Sequence, residues 1–501
     1  MAPLSLRTYQ SSRKRVYLVC ANHSNSLTDA LLLVNAIPSS QRNMLRLTAK
    51  STQFGKKTFT SWLIESAGTV PIHRRKDFEE PVDNSENMLQ LIKALETGDA
   101  VCLFPEGMSR YHPTIAPLKT GVARLISDVL SRNSNEPDFE IALLSCSITY
   151  MHRQHWRSDV LITFHEPMIF TPKRHPELLK PVDYNAIRAV TDQLYQQISS
   201  GTIDSPSWDL VRISKLAARI YAPLGTRMTL GDHVRVVRAF LEALKISDSQ
   251  HVEPSQFKFD RPRILQLRSE LKAYQDELAQ QGLKDDRIRK PLPRRVLLYR
   301  MMIRASWVAF LLLLSIPGLC LWFPVFATIN YIVRNHKRSG PVFDTWDEIT
   351  QNKLVGGLAS GLFVWCSVAL LTFPIGMITG LLVPVCMWFS MRWIEDGIAA
   401  GRAFVSLYRL LMLGKPKLKA LQEQRIRLHG QVMDLALALG LPPDPETYFA
   451  EAGGREKGRV RGQWESRARY FSIKRRRKRD WNESLRLYDK VDYPEDDSNL
   501  G

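Results

Sequence analysis

The sequence has few cysteines and lacks the motifs in which cysteine does chemistry. Six cysteines occur in 501 residues, and none form a CxxC pair. All six lie in or beside apolar runs, at Cys20, Cys102, Cys146, Cys320, Cys366 and Cys386. This pattern argues against a disulfide framework or a zinc site, and it favours a reducing compartment. A GxSxG elbow is also absent, which makes a serine hydrolase a poor fit.

Charge is missing from two long stretches of the C-terminal half. Residues 305–333 and 354–391 contain no Asp, Glu, Lys or Arg over 29 and 38 positions. A helix needs about 20 apolar residues to cross a bilayer, and helices of soluble cores are not this long and this apolar. The sequence therefore predicts an integral membrane protein.

The remainder of the chain is strongly basic. It carries 69 Lys and Arg against 50 Asp and Glu, a formal net charge of +19. Such an excess predicts an anionic partner, which could be nucleic acid, a phospholipid surface or a phosphorylated substrate. The membrane stretches favour the lipid bilayer, and no nucleic acid is expected.

The N-terminal third alternates short apolar runs with helical patterns. The runs VYLVC, TVPI, AVCLF, IALLSCSITY and DVLITFHEP predict strands, and DALLLVNAI, NMLQLIKALETG and GVARLISDVL predict helices. This alternation indicates an α/β domain with a mixed sheet flanked by helices. We expect the domain to occupy residues 1–180, followed by a helical region over 181–304.

The membrane part is expected to consist of two segments and a tail. Residues 305–333 form the first segment, 354–391 the second, and 393–501 a charged, partly disordered tail. Pro317-Gly318 and Pro374-Gly376 interrupt the two segments, and each segment could be one tilted helix or a helical hairpin broken at the Pro and Gly. Basic residues flank each segment on both sides, which favours re-entrant or hairpin segments over single crossings.

A His–Asp pair follows the first predicted strand. His23 lies on the predicted loop, and Asp29 falls in the first turn of the helix after it. Ser26-x-x-Asp29 fits a helix capping box, in which Asp29 would only accept backbone N–H groups. Alternatively the loop folds back, Asp29 orients the imidazole, and the other ring nitrogen takes a proton from a hydroxyl.

Three further motifs lie in the same domain. Arg74 and Arg75 follow Gly68-Thr69-Val70-Pro71-Ile72-His73 and could clamp a phosphate, although this motif taken alone is better explained as a solvated basic loop. Glu106 in Phe104-Pro105-Glu106-Gly107 follows a strand and could accept substrate hydroxyls or simply shape a turn. Lys119 precedes a helix start, which is a ready anion site.

The order and spacing of these motifs resemble the glycerolipid acyltransferase family. His23 and Asp29 are similar to its first motif, Gly68, Pro71 and Arg74 to its second, and Phe104–Gly107 to its third. The runs LKTGVAR at 118–124, ITYMHR at 148–153 and WRS at 156–158 are most like those of the fungal glycerol-3-phosphate/dihydroxyacetone-phosphate acyltransferases. Five residues separate His23 from Asp29 here, whereas four is the commonest family spacing. The resemblance also predicts more chain before His23, so a shortened N-terminus is expected.

The resemblance implies an acyl-CoA-dependent acyltransferase. His23 and Asp29 would be catalytic. Arg74, Arg75, Lys119, Glu106 and Gly107 would bind the acceptor, glycerol-3-phosphate or dihydroxyacetone phosphate. The acylated position would be the sn-1 hydroxyl, with acyl-CoA as co-substrate and neither a cofactor nor a metal required.

The resemblance also implies a location. We expect the protein in the endoplasmic reticulum membrane or on a lipid droplet, with its catalytic domain in the cytosol. Two alternatives stay open: acylation of 1-acylglycerol-3-phosphate, and a catalytically silent membrane scaffold of the same fold.

Overall fold

A computed structural model describes most of the chain between residues 15 and 451. The described residues are 15–37, 43–74, 83–136, 138–153, 159–223, 226, 228–246, 261–289, 293–340, 346 and 348–451. Two compact units are present. One consists of residues 1–150, 160–204 and 335–355, and the other of 151–159, 205–334 and 356–501. The domain boundaries expected from sequence stay predictions.

The first unit is built on a mixed β-sheet. Five of its strands coincide with the apolar runs that predict strands. The strands are β1 (Arg15–Ala21), β2 (Leu45–Arg46), β3 (Thr48–Lys50), β4 (Val70–Ile72), β5 (Ala100–Leu103), β6 (Glu140–Tyr150), β7 (Val160–Phe164) and β8 (Met168–Phe170).

The main sheet has the strand order β2-β5-β1-β6-β7, and β8 also pairs with β6. β2, β5, β1 and β6 run parallel to one another, whereas β7 and β8 pair antiparallel with β6. β3 and β4 form a separate parallel pair. The predicted α/β fold with a mixed sheet is therefore confirmed.

Helices cover both faces of the main sheet. They are α1 (Leu27–Ala36), α3 (Ser85–Glu96), α4 (Gly121–Arg132) and α5 (Tyr184–Ser200), and the same unit contains α2 (Phe59–Ser66), which lies between β3 and β4 in sequence. Alternate residues of β1 point to opposite faces, so Leu18 joins a core with α3, α4 and α5, and Val19 joins a core with α1. β1 is consequently buried on both faces, as its continuous apolar sequence requires.

The second unit is helical. Its helices outside the apolar stretches are α6 (Trp208–Tyr221), α7 (Leu230–Ile246), α8 (Arg261–Gln281), α9 (Asp285–Arg289), α13 (Lys415–Ala438) and α14 (Pro445–Glu451). A buried polar cluster ties three of them together. Arg425 of α13 donates to both carboxylate oxygens of Asp285 in α9, and the Tyr274 hydroxyl of α8 donates to Asp285 at 2.9 Å.

Within the described part of the chain, three helices are long and apolar enough to cross a membrane. They are α10 (Arg294–Arg338), α11 (Ile349–Leu371) and α12 (Gly376–Leu413). The expected break at Pro317-Gly318 is wrong, because α10 is continuous through both residues. Gly318 serves packing instead: a Cβ there would lie 2.0 Å from Ser390 Oγ of α12, so glycine permits a close helix contact.

The second apolar stretch is interrupted near Pro374. α11 ends at Leu371 and α12 begins at Gly376, so a four-residue turn separates them. Trp365 Nε1 of α11 donates to the carbonyl of Gly380 in α12 at 2.7 Å, which holds the two helices side by side. Whether this pair spans the bilayer as a hairpin stays a prediction.

Candidate active site

Polar side chains gather where three parallel strands end. β1, β5 and β6 are parallel neighbours, so their carboxyl ends share one edge of the sheet. His23 follows β1 by two residues, Glu106 follows β5 by three, and Tyr150 ends β6. In open α/β sheets this edge is where ligands bind.

His23 and Asp29 meet at this edge. His23 Nδ1 lies 2.9 Å from Asp29 Oδ2, and the same oxygen accepts the backbone N–H groups of Ser24 at 2.8 Å and Asn25 at 2.7 Å. Asp29 thus contacts the imidazole and backbone N–H groups together, but Ser26 makes no side-chain cap hydrogen bond, so the capping box is not formed, and the catalytic role of the pair stays a prediction. The Asp29 side chain is fully buried and that of His23 is 18% exposed. With Nδ1 as the donor, Nε2 keeps the lone pair needed to accept a proton.

Two residues that sequence reasoning did not assign complete this pair. The Tyr150 hydroxyl donates to Asp29 Oδ1, and the Phe104 ring stacks on the His23 imidazole with centroids 4.2 Å apart. The signal for both was the strand pattern, since each lies at the carboxyl end of a strand neighbouring β1. Together they fix the position of the carboxylate and the plane of the imidazole.

Glu106 supports the loops around the base. Its Oε1 accepts the backbone N–H of His23 at 2.6 Å, and its Oε2 accepts the backbone N–H of Ala116 at 3.0 Å. The side chain is buried. Burial raises the pKa of Glu106 above its ordinary value, while the two backbone N–H groups act in the opposite direction. Its expected contact with substrate hydroxyls stays a prediction beside this supporting role.

Gly107 and Lys119 lie against each other. Gly107 has φ +73°, a conformation that favours glycine, and a Cβ there would lie 2.5 Å from Lys119 Nζ. The backbone N–H of Lys119 donates to the carbonyl of Pro105 at 2.8 Å. The third motif and the predicted anion-binding lysine are therefore one local structure.

Arg74 follows β4, at the end of the small sheet. The preceding residue is fixed, because Asn84 accepts the backbone N–H of His73 and donates to its carbonyl, both at 2.8 Å. Gly68 has φ +66°, and a Cβ there would lie 2.4 Å from the Arg46 guanidinium. The role of Arg74 as a phosphate ligand stays a prediction, and Arg75 lies outside the described residues.

Comparison with protein families identifies two regions. Residues 6–148 match the acyltransferase family model, and residues 213–340 match the model described as glycerol-3-phosphate acyltransferase 2 C-terminal domain. The His–Asp pair lies within the first match. The N-terminal α/β region is therefore an acyltransferase domain.

The chain is homologous to the yeast glycerol-3-phosphate O-acyltransferases. It is 27% identical to glycerol-3-phosphate O-acyltransferase 2 of Saccharomyces cerevisiae over 50% of this chain and 32% of that protein. Identity to glycerol-3-phosphate O-acyltransferase 1 of the same yeast is 22%, over 79% of this chain and 52% of that protein. An uncharacterized acyltransferase of Schizosaccharomyces pombe is 25% identical over 83% of this chain and 63% of that protein. The chain thus spans less than two thirds of each of these curated relatives.

Proposed function

We propose that the protein transfers an acyl group from acyl-CoA to the sn-1 hydroxyl of glycerol-3-phosphate or to the hydroxyl of dihydroxyacetone phosphate. The observation that carries the proposal is the His23–Asp29 pair, with its buried carboxylate and partly exposed imidazole. The names of the two yeast relatives support the choice of acceptor. The three apolar helices indicate membrane association, and we place the enzyme on the cytosolic face of the endoplasmic reticulum.

In the proposed mechanism His23 is the general base. Nε2 takes the proton of the acceptor hydroxyl as its oxygen attacks the thioester carbonyl, while Asp29 holds the imidazole and stabilises the imidazolium. The tetrahedral intermediate collapses with cleavage of the C–S bond, and His23 returns the proton to the departing CoA thiolate. A covalent acyl-enzyme is unnecessary, because the thioester is already activated.

The remaining motif residues are assigned to the acceptor. Arg74, Arg75 and Lys119 would bind its phosphate, since guanidinium and ammonium groups pair with phosphate oxygens. Gly107 would bring backbone close to the glycerol moiety, and Glu106 would hold the loop that carries His23. The helices α10, α11 and α12 would keep the site at the membrane from which acyl chains come and into which the product passes.

The test is an acyl-transfer assay on membranes that contain the full chain. Labelled acyl-CoA is offered with glycerol-3-phosphate, dihydroxyacetone phosphate or 1-acylglycerol-3-phosphate, and membranes with the His23→Ala variant serve as the control. The proposal expects His23-dependent transfer to at least one of the first two acceptors. Transfer only to 1-acylglycerol-3-phosphate would establish the alternative acyltransferase. Absence of transfer to any acceptor would favour the silent scaffold.

A further inference from the structure

The end of α10, the start of α11 and the described residues between them pack within the acyltransferase unit. This segment, here called the junction, comprises the described residues 335–340, 346 and 348–355. It joins the first candidate membrane helix to the second. Its distance in sequence from the motifs, more than two hundred residues, gives no hint that it belongs with them.

The junction touches both loops of the candidate active site. Ser26 Oγ, on the loop between His23 and Asp29, donates to Gln351 Oε1 at 2.9 Å. Buried Tyr111, on the loop that follows Glu106, contacts the Trp346 ring with centroids 5.4 Å apart. These contacts bring the start of a membrane helix to the catalytic loop.

Ion pairs and a cation–π contact hold the junction in place. Lys50 Nζ at the end of β3 lies 3.5 Å from Glu348 Oε1, and His336 Nε2 lies 3.7 Å from the other oxygen of the same carboxylate. Lys337 Nζ lies 4.2 Å from the centre of the Trp346 ring. Trp346 is therefore held by Lys337, and Glu348, three residues before Gln351, is held by Lys50.

Ser26 has an unfavourable backbone conformation at this point. Its φ is +44° and its ψ is −130°, and the N–H of Thr28 donates to the carbonyl of Asn25 at 3.0 Å to close the turn. Glycine is the usual residue at such a position, because a Cβ is strained there. Ser26 does not cap α1 with its side chain. Its hydroxyl is instead directed to Gln351.

We propose that Gln351 is a positioning residue for the catalytic base. Its carbonyl oxygen holds Ser26, and Ser26 sets the turn that presents the N–H groups of Ser24 and Asn25 to Asp29. The strained turn needs an external contact to persist, and the junction supplies it. This inference rests on the proposed function for its kinetic consequence, although not for its structural one.

The kinetic test separates loss of the acceptor atom from loss of folding. Gln351→Met keeps the length of the side chain and removes the acceptor, whereas Gln351→Glu keeps an acceptor oxygen. We expect kcat for acyl transfer to fall about tenfold in Gln351→Met, in proportion to one lost hydrogen bond, with KM for both substrates little changed. Gln351→Glu should retain most of kcat. Asn352→Met, at the next position of α11, is the matched control and should behave like the wild type.

A second variant tests the same bond from the other side. Ser26→Gly removes the hydroxyl but relieves the backbone strain, so its melting temperature should equal or exceed that of the wild type while kcat falls. A role confined to folding would lower both quantities together. The double variant Ser26→Gly/Gln351→Met should have a kcat little lower than that of either single variant, because both changes break the same hydrogen bond.

Hydrogen exchange provides a readout that does not depend on the reaction. In full-length protein in detergent, amides 22–29 should exchange faster in Gln351→Met than in the wild type or in Asn352→Met. If amides 22–29 exchange faster in Gln351→Met but the wild type transfers no acyl group, the proposed function is refuted and the positioning role is supported. If the wild type transfers acyl groups and both Gln351→Met and Ser26→Gly keep its kcat and its amide exchange rates, the inference is overturned.

Discussion

At the scale of single residues, Asp29 is surrounded by donors. Its oxygens meet the imidazole of His23, two backbone N–H groups and the Tyr150 hydroxyl. We expect His23→Ala to abolish acyl transfer with membrane insertion intact. Asp29→Asn should leave a trace, with kcat reduced by about 10²–10⁴-fold, because the amide cannot accept from Nδ1 and both backbone groups in the same way. Single-turnover assays with purified variants measure both effects.

Tyr150→Phe is the graded control for this pair. It removes one donor from Asp29 and leaves the imidazole contact, so its loss of kcat should be smaller than that of Asp29→Asn. Wild-type turnover in purified His23→Ala would refute the mechanism.

Arg74 allows a test of how the acceptor is bound. A guanidinium binds phosphate through two parallel N–H donors, and a lysine ammonium cannot reproduce this fork. Arg74→Lys should therefore raise KM for glycerol-3-phosphate by about tenfold and leave KM for acyl-CoA within about twofold. Initial rates measured against each substrate give the two constants. Equal effects on both would indicate that Arg74 supports the structure around β4 and not the phosphate.

Glu106 should make stability depend on pH. Burial raises its pKa above the ordinary value, so the fold disfavours the ionised form. The contribution of Glu106 to the free energy of unfolding is therefore complete below its ordinary pKa and is lost as pH rises through the raised pKa. Relative to Glu106→Gln, which does not titrate, the wild type should lose melting temperature as pH rises from below the ordinary pKa of Glu106 through the raised pKa. A constant difference between the two proteins would contradict this.

Sequence reasoning recovered single residues unevenly. His23 and Asp29 were predicted because a residue that follows a strand and one in the next helix turn can meet where a loop folds back. Tyr150 was not assigned a role, because its relation to Asp29 depends on the parallel pairing of β1 with β6. Gln351 could not have been found, since no local pattern connects residues 325 positions apart.

At the scale of elements, packing decided what local signals left open. Pro317 and Gly318 predict a break, yet α10 continues through both residues. Gly318 lies where α12 approaches closely, so the glycine is explained by helix packing. Ser315 Oγ donates to the carbonyl of Leu311, and Trp322 Nε1 donates to the carbonyl of Met387 on α12 at 2.8 Å. These contacts stabilise α10 and its packing on α12, but neither replaces the hydrogen bond to the carbonyl of Leu313 that Pro317, which has no N–H, cannot donate. The strands of the sheet were better predicted, because a short continuous apolar run is typical of a strand that is buried on both faces.

The helical unit offers a test of its buried ion pair. Asp285 and Arg425 are both almost fully buried, so removing one partner leaves an uncompensated charge. Arg425→Met should lower the free energy of unfolding by about 3–5 kcal/mol, measured as a fall in melting temperature in detergent. Arg289→Met, which breaks the more exposed pair with Glu446, should cost less than about 1 kcal/mol. Similar losses in the two variants would show that burial does not determine the effect.

At the scale of the whole molecule, connectivity constrains how the chain meets the membrane. No described helix between residues 15 and 289 is long and apolar enough to cross a bilayer. α10 ends at the junction, which packs within the acyltransferase unit. A complete crossing by α10 alone would put its two ends on opposite sides. Basic residues at both ends of α10 favour one side for both ends, and because α10 is unbroken it can satisfy this only by lying shallow in the bilayer, as we expect.

The same reasoning applies to α11 and α12. α11 starts from the junction, and the chain after α12 returns to helices that precede α10: Arg425 of α13 pairs with Asp285, and the Tyr221 hydroxyl of α6 donates to the carbonyl of Pro442 at 2.7 Å. The turn between α11 and α12 exposes apolar side chains, with Leu371 86%, Phe373 85% and Met377 92% exposed. We therefore expect α11 and α12 to enter the bilayer together and to return to the same side.

Thiol labelling on sealed microsomes tests this topology. Single cysteines replace Lys173 in the acyltransferase unit, Gly340 in the junction and Lys415 after α12. Cys320, Cys366 and Cys386 are removed, whereas Cys20, Cys102 and Cys146 stay, because burial raises the pKa of each thiol and hides it from the reagent. An impermeant maleimide should label all three new positions without detergent. If Lys173→Cys is labelled but Gly340→Cys or Lys415→Cys requires detergent, then α10 or the α11–α12 pair crosses completely and this topology is wrong.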